Sequence, residues 1–283
     1  MLLEVKNLRI AFGDSVPVRD VSFSVPAHGR VAIVGESGCG KSLTALSIWK
    51  DHPEVRTAYV FQNPVDSLNP VMKIGAQIRE AMRDAPPPAE CRRKIVELLR
   101  RTGLEDPQRV CDSYPCRLSG GQCQRAMIAM ALAAEPELLV ADEPTTALDV
   151  TTQREVLELI DSLAAETGMA VLLITHNLGL VAGRSDFVNV MYAGEIVESG
   201  PVETVLSAPR HPYTRGLLNA VPVLDSPLDS PLADIPGTVP PPDGWPSGCA
   251  FHQRCPYAKE ICSRLAPPEK EFGAVRCRCH IGE

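Results

Sequence analysis

Eight consecutive residues, Gly35-Glu36-Ser37-Gly38-Cys39-Gly40-Lys41-Ser42, carry the first chemistry in the chain. They fit G-x-x-x-x-G-K-[ST], in which glycines let successive backbone N–H groups turn inward onto phosphate oxygens. Lys41 would reach the β- and γ-phosphates, the Ser42 hydroxyl would bind Mg²⁺, and Leu43 continues the same run. A second element is Asp142-Glu143, directly after the apolar Leu138-Leu139-Val140-Ala141. Asp142 would hold Mg²⁺ through its water shell, and Glu143 would polarise an attacking water. Taken alone, such an acidic pair could instead cap a helix starting near Thr145, the lesser of the two readings. A third element, Leu118-Ser119-Gly120-Gly121-Gln122, opens a helix with a serine cap and two glycines. It is another anion-receptive helix N-terminus, and the phosphate loop of the same chain has no need of it.

These residues need a scaffold that aims them at one place. Val31-Ala32-Ile33-Val34 reads as a buried strand before the loop, and 41–50 reads as the helix after it. Strands are expected at 2–10, 21–25, 57–61, 138–141 and 169–174, with a strand pair at 187–191 and 194–198 across a glycine turn. Helices are expected at 74–82, 90–101, 122–134 and 153–166, two of them stopped by Gly103 and Gly168. Alternation of strands with helices predicts an α/β fold, a parallel sheet with helices on both faces. Ligands of such sheets sit at the carboxyl ends of the strands. Gln62, Asp142 and His176 each follow a strand end, so they are expected to converge with the loop.

The chain has 283 residues, 45 % hydrophobic and 22 % charged, which suits a globular protein with ample core. Its net charge of −7 excludes a nucleic-acid coat. The apolar run at 127–134 falls far short of the roughly 20 residues of a membrane span, and no signal-peptide pattern opens the sequence. Ten cysteines are present, five of them in the last 35 residues. In a reducing compartment such a cluster points to metal before disulfide. Prolines crowd the stretch 222–246, which reads as a linker.

Together these motifs resemble the ABC ATPases, with the family's elements in order over roughly residues 1–220. Leu118 to Gln122 look like the signature motif, Gln62 like the Q-loop glutamine, Ala147-Leu148-Asp149 like the D-loop, and His176 like the switch histidine. Phe12 resembles the aromatic that stacks on adenine, although alone it reads as readily as a core strand residue. The resemblance implies that two such domains close head to tail. The Ser119 and Gly121 amides of one chain would then clamp the γ-phosphate held by the Lys41 loop of the other. A second ATPase subunit, expected to be a paralogue, is therefore implied, together with two transmembrane permease subunits, a substrate-binding protein outside the membrane, and a place on the cytoplasmic face.

Further motifs narrow the group. Gly200-Pro201-Val202-Glu203, His211-Pro212-Tyr213-Thr214, Ile235-Pro236-Gly237 and the segment from Gly248-Cys249 to Cys255-Pro256-Tyr257 resemble the oligopeptide/dipeptide permease ATPases, which include nickel and some sugar importers. This implies ATP-driven import of peptides, with a nickel or oligosaccharide importer or a soluble ABC ATPase as alternatives. The resemblance also implies a [4Fe-4S] cluster on Cys249, Cys255, Cys262 and Cys279, with Cys277 as the other candidate fourth ligand. Structural zinc is the alternative. The expected domains are 1–221 for the ATPase, with a helical subdomain about 70–134, then the linker 222–246 and a cysteine-rich module 247–283.

One stretch departs from the family. Only 20 residues separate Lys41 from Gln62. A helix over 41–50 would be about 15 Å long, leaving a short return to the next parallel strand. The antiparallel sub-sheet beside the nucleotide is expected to be reduced.

Overall fold

The computed structural model describes residues 1–146, 148–221 and 235–281. Ala147 of the expected D-loop and residues 222–234 of the expected linker lie outside the described residues. The chain forms two compact units, Met1–His52 with Leu172–Glu283, and Pro53–Val171.

The first unit opens with the antiparallel strands β1 (Leu3–Phe12) and β2 (Ser15–Val25), followed by β3 (Arg30–Val34) and α1 (Lys41–Asp51). The second contains β4 (Thr57–Val60), α2 (Pro64–Ser67), α3 (Ile74–Ala81), α4 (Pro88–Arg101), α5 (Pro107–Cys111), α6 (Gly120–Ala133), β5 (Leu138–Asp142) and α7 (Val150–Thr167). β6 (Ala170–Thr175) leads back into the first unit. There follow β7 (Phe187–Tyr192), β8 (Glu195–Pro201), α8 (Val202–Ser207), α9 (Pro212–Asn219), α10 (Glu260–Arg264), β9 (Glu269–Phe272) and β10 (Val275–Arg278).

In the second unit β4 and β5 pair in parallel, Thr57 opposite Leu138 and Val60 opposite Ala141. Every residue of β5 is buried, which is why it reads as an unbroken apolar run rather than an alternating one. The helices of this unit have their own core, built from Leu68, Ile74, Ile78, Ile95, Leu99, Val110, Cys123 and Ala126. The 3.6-residue spacing of Cys91, Ile95 and Leu99 turns one face of α4 into it. Pro88, in the first turn, sets φ where no intrahelical N–H is needed. α7 starts earlier than its apolar spacing suggests, because the Asp149 side chain caps it by accepting the Thr151 and Thr152 amides at 3.1 and 3.0 Å. It stops at Gly168 in the left-handed region, φ 71°.

In the first unit β3 pairs in parallel with β7, and β7 pairs antiparallel with β8 across the Ala193–Gly194 turn, whose φ values of 49° and 79° suit a two-residue hairpin. Residues 52–56, between α1 and β4, contain neither strand nor helix, so the antiparallel portion beside α1 is the β1–β2 hairpin. The tail is part of this unit. β10 adds to β8 through Arg276–Ser199 and Cys277–Glu198, and β9 adds to β10. Ile235, Ala250, Phe251 and Val275 lie in the same apolar cluster as Ala32, Val34, Val190, Tyr192 and Tyr213. The proline-rich residues 235–246 have no regular structure, as their composition requires, but they are packed. Ile235 is buried and the Trp245 indole donates to Val16 O at 2.9 Å. Among the described residues no helix is long and apolar enough to cross a membrane.

Candidate functional site

In the first unit the buried strand β3 delivers the chain into the loop at Gly35. A side chain there has no room: a Cβ would stand 2.1 Å from Met191 O and 2.9 Å from Cys39 Sγ. Gly40 caps α1 in the left-handed region, φ 102°, with no side chain bonded over the helix end. The first-turn amides of α1 therefore point into the loop, the arrangement that receives phosphate. Lys41 is buried, and its ammonium curls back to donate to Gly35 O at 2.8 Å and Glu36 O at 3.0 Å. Ser37, Gly38 and Ser42 are exposed around it and Leu43 is half-buried. Cys39 is sealed beneath, where burial pushes its thiol up despite the Lys41 charge. The Gly35 amide donates to Thr175 O at 3.4 Å, so His176, exposed just past β6, lies at the same strand ends as the loop. Phe12 ends β1 with 61 % of its surface exposed, so the alternative reading of it as core does not apply.

Three further residues hold this loop and were not singled out from the sequence. Tyr213 Oη accepts the Glu36 amide at 2.8 Å, and burial keeps its phenol protonated well above the usual range. The Arg254 guanidinium grips the Glu36 carboxylate with two bonds, 2.7 and 2.9 Å. Met191, through its carbonyl, closes the space over Gly35. Tyr213 stood inside the His211-Pro212-Tyr213-Thr214 motif and Arg254 beside Cys255, but nothing in their spacing points at residue 36.

In the second unit β5 ends at Asp142, and Glu143 follows in the left-handed region at φ 45°, a conformation that costs a non-glycine residue about 1 kcal/mol or more. Its carboxylate is held there: Oε2 accepts from Gln62 Nε2 at 3.1 Å and from Thr146 Oγ1 at 2.9 Å. Asp142 is buried, and its Oδ2 accepts the Tyr59 hydroxyl at 3.1 Å; burial and that carboxylate together keep the phenol protonated. The convergence expected of Gln62 and the acidic pair thus occurs within this unit, with Tyr59 and Thr146 as partners that sequence reasoning missed.

The Ser119 end of α6 differs from expectation in one donor. Ser119 and Gln122 form a capping box, in which Gln122 N–H donates to Ser119 Oγ at 3.2 Å and Ser119 N–H donates to Gln122 Oε1 at 3.1 Å. The Ser119 amide, expected to face a phosphate, is therefore already engaged, and the box takes neither the Gly120 nor the Gly121 amide. Asp149 also has a local task, since its carboxylate bonds Thr151 and Thr152; those hydrogen bonds, Thr152 first, hold its carboxyl below the usual range.

In the tail the expected metal site is not assembled as such. Among the described residues no three His, Cys, Asp or Glu side chains are grouped so as to hold a metal ion, and this holds for the expected cluster as much as for its zinc alternative. Backbone amides reach two of the thiols: Lys259 N–H donates to Cys262 Sγ at 3.5 Å and Ile281 N–H to Cys279 Sγ at 3.3 Å. Burial pushes Cys249 up to about 11, with Cys279, Cys262 and Cys255 as charged neighbours and the Phe251 amide acting against the shift. Burial likewise raises Cys255, against the Tyr257 amide. Cys277 faces Glu198, Arg210 and Arg215 as well as Cys279.

Comparison with known proteins places this arrangement. Residues 45–146 match the ABC transporter family, and residues 197–262 match the oligopeptide/dipeptide transporter C-terminal region. A putative peptide import ATP-binding protein of Brucella abortus (strain 2308) is 42 % identical, covering 98 % of this chain and 94 % of that protein. The oligopeptide transport ATP-binding protein AppD of Bacillus subtilis (strain 168) is also 42 % identical, over 98 % of this chain and 96 % of its own. Both alignments run past 310 positions, 313 and 315, so these relatives carry residues that this 283-residue chain lacks. Among solved structures, a dimeric ATP-binding cassette in a post-hydrolysis state with ADP and Pi superposes with a TM-score of 0.60 at 26 % identity, covering 70 % of this chain and 98 % of that one. The subunit cbiO1 of Clostridium perfringens, part of the ABC transporter complex cbiONQ, superposes with a TM-score of 0.63 at 25 % identity, over 73 % and 90 %. The chain belongs to the ABC transporter ATPases, in the group marked by the oligopeptide/dipeptide transporter C-terminal region.

Proposed function

We propose that this chain is the ATP-hydrolysing subunit of an importer for di- and oligopeptides, working at the cytoplasmic face of a membrane. The observation that carries the reading is the strained Glu143, whose carboxylate is fixed by Gln62 and Thr146 at the end of β5. The residues fit a magnesium nucleotide. Gly35 and Gly40 leave backbone where side chains would block it, and the α1 amides and Lys41 offer positive charge. Lys41 would exchange its two loop carbonyls for phosphate oxygens. Ser42, Asp142 and Gln62 would hold Mg²⁺, which neutralises charge on the phosphates when bound. Glu143 would take a proton from the attacking water, and His176 would face the γ-phosphate. Phe12 would stack on the base.

The Ser119–Gln122 helix end and Asp149 would serve the nucleotide of a second ATPase subunit, a paralogue in this reading. Gln62 and the α2 segment would report the nucleotide state to two permease subunits, which an extracytoplasmic binding protein would supply with peptide. Purification of the intact complex, followed by ATP-dependent uptake into vesicles, tests this. Stimulation by peptides supports the reading; stimulation by nickel or oligosaccharide alone would replace the substrate class, and a chain that purifies without permeases would point to a soluble ABC ATPase.

For the tail we infer a [4Fe-4S] cluster on Cys249, Cys255, Cys262 and Cys279. Backbone amides donate to Cys262 and Cys279, from Lys259 and Ile281, and the amides of Phe251 and Tyr257 act to lower the thiols of Cys249 and Cys255. N–H donors of this kind stabilise thiolates around a cluster. Cys277 instead shares its surroundings with Glu198. Iron and sulfide analysis of protein purified without oxygen is the check: Cys279→Ser should lose iron and Cys277→Ser should keep it.

A further inference from the structure

Glu36 is a node of the phosphate-binding loop through all three of its polar groups. Its amide goes to Tyr213 Oη, its carbonyl accepts from Lys41 Nζ, and its carboxylate takes two bonds from Arg254. Arg254 lies in the tail, 218 residues away, in the turn that leads to Cys255. Its side chain is only 5 % exposed. Of the other guanidinium N–H groups, Nε donates to Pro236 O at 2.8 Å, Nη2 to Ile235 O at 3.1 Å and Gly237 O at 3.2 Å, and Nη1 to the Tyr192 hydroxyl at 3.5 Å, while Cζ lies 5.8 Å from the Tyr192 ring centroid. The planar fork is thereby fixed on the tail side and presented edge-on to Glu36.

A carboxylate in a loop that must receive a polyanion is a liability unless its charge is cancelled. Arg254 cancels it, and no cation of the loop is used up in doing so, since Lys41 bonds carbonyls. We propose that Arg254 is a positioning residue for the phosphate-binding loop, neutralising and orienting Glu36 so that nucleotide affinity depends on the folded tail. The inference rests on the nucleotide reading of that loop.

The test is ATP affinity, measured with a fluorescent ATP analogue on the full chain in its purified complex, alongside ATPase rates. Arg254→Ala should raise the Kd on the order of tenfold, with kcat changed by less than about threefold. Arg254→Lys keeps the charge without the fork and should fall between the two. Adding Glu36→Gln to Arg254→Ala removes the exposed carboxylate and should return most of the lost affinity. A residue that merely holds the tail in place would lower the melting temperature, and the second substitution would restore nothing. An unchanged Kd in Arg254→Ala, or no recovery in the double variant, overturns the proposal. If the unaltered chain itself bound no ATP, the nucleotide reading would fall and this inference with it.

Discussion

Gln62 Nε2 donates to Glu143 Oε2 across 3.1 Å, joining the second residue past β4 to the first residue past β5. The bond ties the proposed general base to the side chain proposed to report to the membrane partner. Glu143→Gln keeps the shape of this contact but removes the base. General base catalysis contributes roughly 10²- to 10⁴-fold, so turnover should fall by at least about a hundredfold while ATP binding persists. ATPase rate and size-exclusion with ATP read both effects, the second as a closed dimer that fails to reopen. Ordinary turnover would remove Glu143 from the role.

The phosphate loop, the acidic pair and the Ser119 helix end were legible because their chemistry lies within eight consecutive residues or fewer. Their strands were legible because β5 and β6 are buried on both faces and leave continuous apolar runs. What holds the site in place was not. Arg254 and Tyr213 reach residue 36 only through tertiary packing, and a sequence records no such pairing. Strands β9 and β10, Glu-Lys-Glu-Phe and Val-Arg-Cys-Arg, were missed because charged residues occupy their exposed positions, so neither has an apolar run. The Ser119 amide was assigned to a phosphate because a capping box and an open helix end share one motif; the orientation of the Gln122 side chain decides between them.

Thr146 is the hydroxyl-bearing partner of the same carboxylate. Its Oγ1 donates to Glu143 Oε2 at 2.9 Å, on the oxygen that Gln62 also uses. Thr146→Val keeps the volume and loses the bond, which to a charged acceptor is worth about 1.5–3 kcal/mol. Part of that loss should appear as mispositioning of the carboxylate. We expect kcat to drop by roughly three- to tenfold with KM for ATP little changed, and Thr146→Ser to restore the rate. Equal rates for Val and Ser would mean that the bond does not orient the base.

Two loop glycines should respond differently to alanine. At Gly35 the new methyl would meet Met191 O at 2.1 Å and Cys39 Sγ at 2.9 Å, both in packed surroundings. Overpacking of this kind costs about 2–3 kcal/mol, and it should abolish nucleotide binding by moving the loop. At Gly38 nothing lies within 4 Å, and only the left-handed φ of 83° is penalised. That penalty is about 1–2 kcal/mol. Urea unfolding of the two variants gives the order directly, and a Gly38→Ala costlier than Gly35→Ala would contradict the close approach at Met191.

His211 should give the first unit an acid sensitivity. It caps α9, its Nδ1 accepting the Tyr213 amide at 3.1 Å, and Tyr213 in turn holds the phosphate loop. Burial, with the Arg215 charge adding to it, pushes the imidazole from 6.5 down to about 3. The folded state therefore keeps His211 neutral while the unfolded chain takes up a proton below 6.5. Its contribution to stability is complete above pH 6.5 and is lost progressively as pH falls towards 3, with a slope of at most about 1.4 kcal/mol per pH unit. Glu198, which accepts the His211 and Arg210 amides, has its carboxyl raised by burial and acts in the opposite sense above its ordinary value. His211→Asn retains a capping acceptor, removes the titration and leaves Glu198 in place. Between pH 7.5 and 5 the wild type should lose about 2 kcal/mol relative to this variant in denaturant unfolding. Parallel pH profiles for the two proteins would show that another group sets the acid limit.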